Sequence, residues 1–225
     1  LEQYVYSVGD GGREVYVNLY IGGEIRLDGE NNSATLVQET DYPWDGDVEF
    51  TIRTEAPVSL SLNLRVPEWC SAATLSVNGE ERSVDADAGY LTLEREWTDG
   101  DTVGMSLAMP VEPVVANPEV EDDLGLTAVT RGPLVYCLEG VDNPTPLANL
   151  AVDLDSMATQ DREDLLGGVT TIEGTAEYEL PDSWDGTLYN RPADIETRTE
   201  DVVWVPYCLW DNRDPGEMRV WLRHS

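Results

Sequence analysis

Apolar residues recur at every second position through the first half of this chain. Val15, Val17, Leu19 and Ile21 make one set, Val48, Phe50 and Ile52 a second, and Leu60, Leu62, Leu64 and Val66 a third. Successive side chains of a β-strand point to opposite faces, so a period of two predicts strands with one face on a core and the other in water. Leu75 and Val77 lead into Asn78-Gly79, a pair that accepts the positive φ of a two-residue hairpin turn. Leu91 and Leu93, then Val103, Met105 and Leu107, complete the series on either side of a turn at Asp99-Gly100-Asp101. Short strands at this spacing, with no helical period between them, predict a β-sandwich.

The rhythm breaks from Met109 to Pro118, where Pro110, Pro113 and Pro118 crowd together. Proline donates no ladder hydrogen bond, so the boundary is expected there, with one sandwich over residues 1–111 and another over 112–225. Beyond it, apolar segments at Leu126 to Val129, Leu134 to Leu138, Val202 to Leu209 and Met218 to Leu222 predict the strands of a second β domain. A chain of 225 residues is long enough to bury two cores. Between Asn143 and Asp194 Pro, Gly and acids dominate, one short helical candidate covers Arg162 to Leu166, and the pattern does not order the rest. The expected fold class is all-β, as two consecutive antiparallel β-sandwich domains.

Charge narrows the partners. Forty-five Asp and Glu stand against thirteen basic residues, every one an Arg, for a net charge of −32. Such a chain repels nucleic-acid phosphates and anionic membrane surfaces, so neither is an expected partner. The acids are interleaved with strand patterns and 41% of residues are hydrophobic, which predicts a folded chain whose acids cover its surface. Carboxylates at this density repel one another in dilute buffer, whereas near about 1 M salt the Debye length falls to ~3 Å and the repulsion shrinks. The composition therefore reads as a halophile's, suited to a salty cytoplasm. No run of ~18 apolar residues provides a membrane-spanning helix, and the start at Leu1 without Met reads as a piece of something longer.

Catalytic chemistry finds little to work with. The sole histidine, His224, is the penultimate residue, expected to be solvated, which leaves no base for a Ser-His-Asp or Cys-His arrangement and no His ligand for a metal. Cys70, Cys137 and Cys208 are widely separated and odd in number, so they are expected to be buried free thiols and not a disulfide framework or a metal knuckle. A glycosidase needs two carboxylates ~5 to 9 Å apart, but among forty-five acids a chance pair at that distance carries no specificity. Sugars stack on Trp and Tyr, and the best such group is Tyr42-Pro43-Trp44-Asp45-Gly46, where Asp45 beside the rings offers a hydroxyl partner. The competing reading packs Tyr42 and Trp44 against a neighbouring domain or the sandwich core. Trp69, Trp97, Trp204 and Trp221 stand in or beside strand patterns as core or edge residues, and Arg131 is a candidate partner for a carboxylate at a domain contact.

The run Arg131-Gly132-Pro133-Leu134-Val135-Tyr136-Cys137-Leu138-Glu139-Gly140-Val141-Asp142-Asn143 reads generically as a buried strand between turns. Its wording resembles the C-terminal region of glycoside hydrolase family 127, the β-L-arabinofuranosidase family, formerly catalogued as a domain of unknown function. Further segments resemble that family in the same order, among them Val15 to Gly22, Gln38 to Gly46, Leu64 to Cys70, Gly89-Tyr90-Leu91 with Arg95-Glu96-Trp97, and Trp210 to Met218. Only Asn143 to Asp201 goes largely unmatched. The resemblance implies an α/α barrel with a cysteine-thiolate nucleophile, a glutamate acid and base, and zinc held by a Glu and three Cys. The paired cysteines of that site belong to a Cys-Cys-Pro-Pro motif upstream of the point matching Leu1, and no segment here corresponds to it. Neither Cys70, Cys137 nor Cys208 inherits a role, so no catalytic residue, metal ligand or cofactor is expected in this chain.

Three readings follow. The leading one is a noncatalytic β-sandwich portion of such a hydrolase, with the upstream barrel as partner of the first sandwich and a second copy as partner of the other in a homodimer. The rival is an independent carbohydrate-binding module that stacks a glycan on Tyr42 and Trp44. The third is a hydrolase using two carboxylates of its own. The surface charge makes a prediction independent of all three: the melting temperature should rise between dilute buffer and multimolar potassium chloride, and a melt that does not move with salt removes the halophile reading.

Overall fold

A computed structural model describes residues 2–28, 33–83, 89–184 and 186–225. It divides into two compact units, Leu1–Met109 and Pro110–Ser225. The chain is all-β, and its only α-helix among the described residues is the single turn α1 (Glu2–Val5).

The first unit contains β1 (Tyr6–Gly9), β2 (Glu14–Val17), β3 (Gly23–Asp28), β4 (Ser33–Thr40), β5 (Asp47–Thr54), β6 (Val58–Arg65), β7 (Ala73–Val77), β8 (Glu80–Arg82), β9 (Tyr90–Trp97) and β10 (Thr102–Leu107). They form two sheets, ordered β1-β2-β6-β9 and β3-β4-β5-β10-β7-β8. All pairings are antiparallel except β2 with β6, which run parallel. The predicted alternation holds in β5, β6 and β10, where Val48, Phe50, Ile52, Leu60, Leu62, Leu64, Val103, Met105 and Leu107 are all buried in one core. Trp97 is fully buried in the same core and its indole N–H donates to Leu60 O at 3.0 Å, so the ring brings its apolar area inside without an unpaired donor. At the hairpin between β7 and β8, Asn78 and Gly79 both have positive φ, +52° and +79°, as the sequence pair predicts.

One predicted strand stops early. Val15 and Val17 are fully buried, yet β2 ends at Val17, and Leu19 and Ile21, expected on the same inward face, are 37% and 46% exposed. The cause is Gln38, 1% exposed at a core position of β4. Its amide donates to Leu19 O at 3.3 Å and to Ile21 O at 2.8 Å. A buried amide needs acceptors, and it finds them by holding these two carbonyls inward, so that Tyr20 becomes the buried side chain of the loop. The same glutamine interrupts the apolar alternation of Ala34 and Leu36, so no long two-residue period marks β4.

The second unit contains β11 (Val111–Val115), β12 (Thr127–Arg131), β13 (Leu134–Glu139), β14 (Leu150–Val152), β15 (Ala158–Arg162), β16 (Val169–Glu179), β17 (Thr197–Pro206), β18 (Met218–Arg219) and β19 (Arg223–His224). Its strands hydrogen-bond in one continuous order, β11-β12-β13-β17-β16-β14-β19, with β15 beside β16 and β18 beside β13. The C-terminal segment folds this sheet back on itself. β18 pairs with β13, Leu222 bridges Thr127 of β12, and β19 then pairs in parallel with β14 near the far end of the order. A stretch of seven residues thus bonds to β13 and β12 on one side of the order and to β14 on the other, and the resulting core holds Tyr136, Leu138, Leu147, Leu150, Val152, Ile172, Trp204 and Leu222, each at most 2% exposed.

The helical candidate at Arg162 to Leu166 is corrected. Arg162 ends β15, and the chain turns back into β16 through Leu166, Gly167 and Gly168, all at positive φ. Two adjacent glycines favour that reversal, and five residues are too few to offset the cost of nucleating a helix. The His224 side chain is exposed, as expected, while its backbone is paired with Val152.

The turn between β9 and β10 depends on a carboxylate. Asp101 is 8% exposed and accepts from Thr98 N at 2.8 Å and from the Asn78 amide at 2.8 Å, with Arg95 at 3.7 Å. The Thr98 amide first, then Asn78 and Arg95, hold its carboxyl below the usual carboxylate range. A depressed folded-state pKa contributes stability above the unfolded value and loses it as pH falls through the folded one. Asp101→Asn should therefore cost about 2 kcal/mol in urea unfolding near neutral pH, with the difference from the parent narrowing as pH falls below the unfolded carboxyl's pKa of about 4.

Candidate functional site

The segment joining β4 to β5 carries Tyr42, Trp44 and Asp45, and hydrogen bonds fix its shape. Thr40 Oγ1 accepts from Tyr42 N at 3.1 Å and donates to Asp47 O at 2.6 Å, while Trp44 N closes a turn onto Asp41 O at 2.9 Å. Asp45 spends one carboxylate oxygen on Asp47 N at 3.0 Å. At Gly46 an added Cβ would lie 2.0 Å from Leu107 O, so only glycine lets the loop lie against β10.

Tyr42 is half-buried, and its ring meets Tyr20 edge-on at 5.8 Å and lies nearly parallel to Trp69 at 6.5 Å. Burial pushes the Tyr42 hydroxyl up from its ordinary value. Tyr20 is deeper, where its hydroxyl donates to Arg65 O and lies 3.3 Å from Met105 Sδ, and burial pushes it up strongly. Tyr20, Tyr42 and Trp69 therefore form an aromatic row running from the core to the surface of the first unit. Trp44, two residues after Tyr42, is also half-buried. Trp69, read from the sequence as a core or edge residue, completes the row from the turn in which Cys70 N donates to Pro67 O at 3.0 Å. Its stacking on Tyr42 was not legible, because the two residues lie 27 positions apart on different elements.

Arg131 lies in the second unit, on β12, opposite Val111 and Leu134. It is half-buried near Tyr136, whose hydroxyl donates to Thr170 O at 2.9 Å and is pushed up by burial, with Arg131 opposing that shift. The second unit's densest polar cluster lies one strand further on. Arg213 bonds Glu139 and grips Asp142 bidentately at 2.6 and 2.8 Å, with the Arg213 side chain 18% and that of Glu139 7% exposed. Glu139 also accepts from Asp211 N at 3.1 Å. Asn143 ties Glu139 O to β17 by donating to Val203 O at 3.0 Å and accepting from Val203 N at 2.8 Å. Glu217 completes the set, accepting from Leu147 N at 2.8 Å through its side chain and from Gly140 N at 2.8 Å through its backbone.

This arrangement is a clamp. Glu139 and Asp142 are carboxylates that the fold gathers together, yet both are committed to one guanidinium, and what they hold is the segment from Trp210 to Glu217 that delivers β18 and β19 to the seam. The three thiols are all free, but only Cys137 is buried as expected; Cys70 is half-buried and Cys208 exposed. Desolvation, with the Glu139 charge adding, pushes the Cys137 thiol up to about 12, which keeps it protonated and unfit as a nucleophile or metal ligand. Cys70 Sγ lies 3.1 Å from Ala72 O and serves a local turn. Among the described residues no three His, Cys, Asp or Glu side chains converge to hold a metal ion, so the zinc implied by the resemblance finds no fitting donor set in them.

Both units are all-β, and the polar clusters described in them hold backbone and strands in place. The profile of the β-L-arabinofuranosidase GH127 middle domain matches residues 14–109, and that of the glycoside hydrolase family 127 C-terminal domain matches residues 111–223. The chain belongs to glycoside hydrolase family 127. It is 36% identical over 235 aligned residues to a non-reducing end β-L-arabinofuranosidase of Bifidobacterium longum subsp. longum, covering 99% of this chain and 35% of that protein. A solved GH127 β-L-arabinofuranosidase from Geobacillus stearothermophilus superposes with a TM-score of 0.90 at 38% identity, over 99% of this chain and 35% of that one. A second solved glycoside hydrolase superposes with a TM-score of 0.86 at 34% identity, over 99% and 37%. The chain thus spans little more than a third of the relatives it matches.

The clamp carries its own prediction. Arg213→Met leaves Glu139 buried without its cation and should cost about 3–5 kcal/mol in denaturant unfolding, whereas Arg213→Met combined with Glu139→Gln should recover part of that loss. Equal losses in the single and double variants would show that the ion pair does not hold the seam.

Proposed function

We propose that this chain is the noncatalytic β portion of a β-L-arabinofuranosidase, and that its work is to support a catalytic barrel carried by the same polypeptide. The observation behind this reading is coverage: the whole chain aligns to about 35% of each enzyme, and to the regions named middle and C-terminal domains. The polar clusters fit a supporting role, since Glu139 and Glu217 accept from the backbone of Asp211 and Leu147, and Arg213 ties Glu139 to Asp142. In this reading the thiolate nucleophile, the acid-base glutamate and the zinc belong to the barrel, and the first unit is its buttress. The second unit is a candidate for pairing with another copy. The net charge of −32 fits work in high salt.

The test is a comparison of the whole protein with the 225-residue chain on an aryl β-L-arabinofuranoside and on arabinan-type oligosaccharides. The whole protein should hydrolyse the aryl glycoside with retention, and the shorter chain should show neither turnover nor saturable binding. Turnover by the shorter chain would overturn the proposal in favour of a pair of its own carboxylates. Saturable glycan binding lost in Trp44→Ala would overturn it in favour of a binding module.

A further inference from the structure

One side chain ties two turns of the first unit together. Asn78, in the hairpin between β7 and β8, reaches the turn between β9 and β10, where its amide donates to Asp101 Oδ1 at 2.8 Å and its Oδ1 accepts from Thr102 N at 2.8 Å. Its backbone N also donates to Thr102 O at 3.0 Å, which extends the β7–β10 ladder by one step. Asp101 is buried and takes one of its few donors from this amide.

Asn78 also precedes Gly79, and this is the only Asn-Gly pair in the sequence. An asparagine amide followed by glycine is open to attack by the next backbone nitrogen, because glycine has no Cβ to stand in the way. An added Cβ at Gly79 would meet nothing within 4 Å, and both turn residues are exposed, so water reaches them. In such an attack Gly79 N bonds to Asn78 Cγ, the Cγ–Nδ2 bond breaks, and the amide nitrogen leaves as ammonia with the proton from Gly79 N. Water then opens the cyclic imide, its hydroxyl going to one carbonyl carbon and its proton to the ring nitrogen. Opening at one carbonyl gives aspartate and at the other isoaspartate; the net change is one water taken up and one ammonia released. The native fold holds this step back, because closing the ring turns the amide toward Gly79 and away from Asp101 and Thr102, whose bonds must break first.

We propose that Asn78 is a latent modification site, guarded by Asp101 and Thr102, at which loss of ammonia turns the tie between the two turns into a contact between carboxylates. The acid formed at position 78 faces Asp101 where an amide donor stood, and two carboxylates at that range repel. The isoaspartate route lengthens the backbone of a two-residue turn by one carbon, which spoils the pairing of Val77 with Glu80. Either product loosens the corner where β7, β8, β9 and β10 meet.

Peptide mapping of the whole protein in mildly alkaline buffer tests the guard. Conversion at Asn78 should be at least about tenfold slower in the native protein than in denaturant. Asp101→Ala should speed it several-fold under native conditions, whereas Leu62→Ala, which weakens the same core away from the tie, should leave it near the parent rate. Equal native and denatured rates would overturn the proposal, as would equal acceleration in the two variants; should Asp101→Ala not fold, the native and denatured rates of the parent decide. Exchanging the two groups tests the product. Asn78→Asp should melt at least about 4 °C below Asn78→Gly, which loses the same bonds without adding a charge, and combining Asn78→Asp with Asp101→Asn should recover most of the loss, since amide and carboxylate then face each other in reverse. A double variant no more stable than Asn78→Asp would overturn the carboxylate contact. Should the single variant not fold, folding of the double variant supports the proposal and its failure overturns it.

Discussion

The second unit depends on one buried ion pair. Its strands form a single hydrogen-bonded order, and an order of that length has two edges that must be covered or joined. The last strands of the chain tie β12 and β13 to β14, and the segment that delivers them is held where Arg213 meets Glu139 and Asp142. The geometry is economical in partners. Glu139 ends the most buried strand, accepts the backbone of Asp211 and the guanidinium of Arg213, and through its carbonyl engages Asn143, which reaches β17. Desolvating these charges is costly, and the cost is offset by the number of bonds that converge on them. A well-packed apolar replacement would fill the same volume but would not specify where the segment crosses the sheet.

In the first unit two uncharged amides do comparable work. Gln38 ends β2 by holding two loop carbonyls, and Asn63, 5% exposed, joins neighbouring strands by donating to Val15 O at 3.2 Å and accepting from Thr92 Oγ1 at 2.7 Å. Each sits where alternation would place an aliphatic side chain or beside one. The buried NH2 of each amide is paired, and the carbonyls that pair with Gln38 are those of the loop where the backbone leaves the ladder. Where a strand ends is therefore settled by a side chain on another strand.

That explains what the sequence could and could not reveal. Val48 to Ile52, Leu60 to Leu64 and Val103 to Leu107 were legible because their burial follows from local period alone, and Asn78-Gly79 because its turn chemistry is local. The longest strand, Val169–Glu179, was hidden: its Val169, Ile172, Ala176 and Tyr178 are buried, but Thr171 is buried too and Gly174 interrupts the run, so no two-residue apolar period marks it. Leu19 and Ile21 were misassigned to an inward face because the residue that turns them outward is Gln38, seventeen positions beyond Ile21. Of the candidate contacts, Tyr42, Trp44 and Asp45 share one loop, whereas Arg131 belongs to the other unit, beyond the break at Pro110 to Pro118 that the sequence already shows. Arg213 and Glu139 both lie in segments that resemble the family, but only the fold brings them within reach of each other.

The segments that resemble the family can now be read physically. Val15 to Gly22 contains the broken strand and its exposed apolar residues, Gln38 to Gly46 contains the amide that breaks it and the loop pressed on Leu107, and Arg131 to Asn143 together with Trp210 to Met218 supplies both halves of the clamp. None of these is a catalytic sequence. They are the places where a strand must end, a loop must approach a backbone, or a sheet must close, and each needs a particular side chain where most of a β-sheet surface needs only the right polarity. A resemblance concentrated at such points identifies the fold that accompanies the hydrolase, which is why the words that name the family lie outside its chemistry.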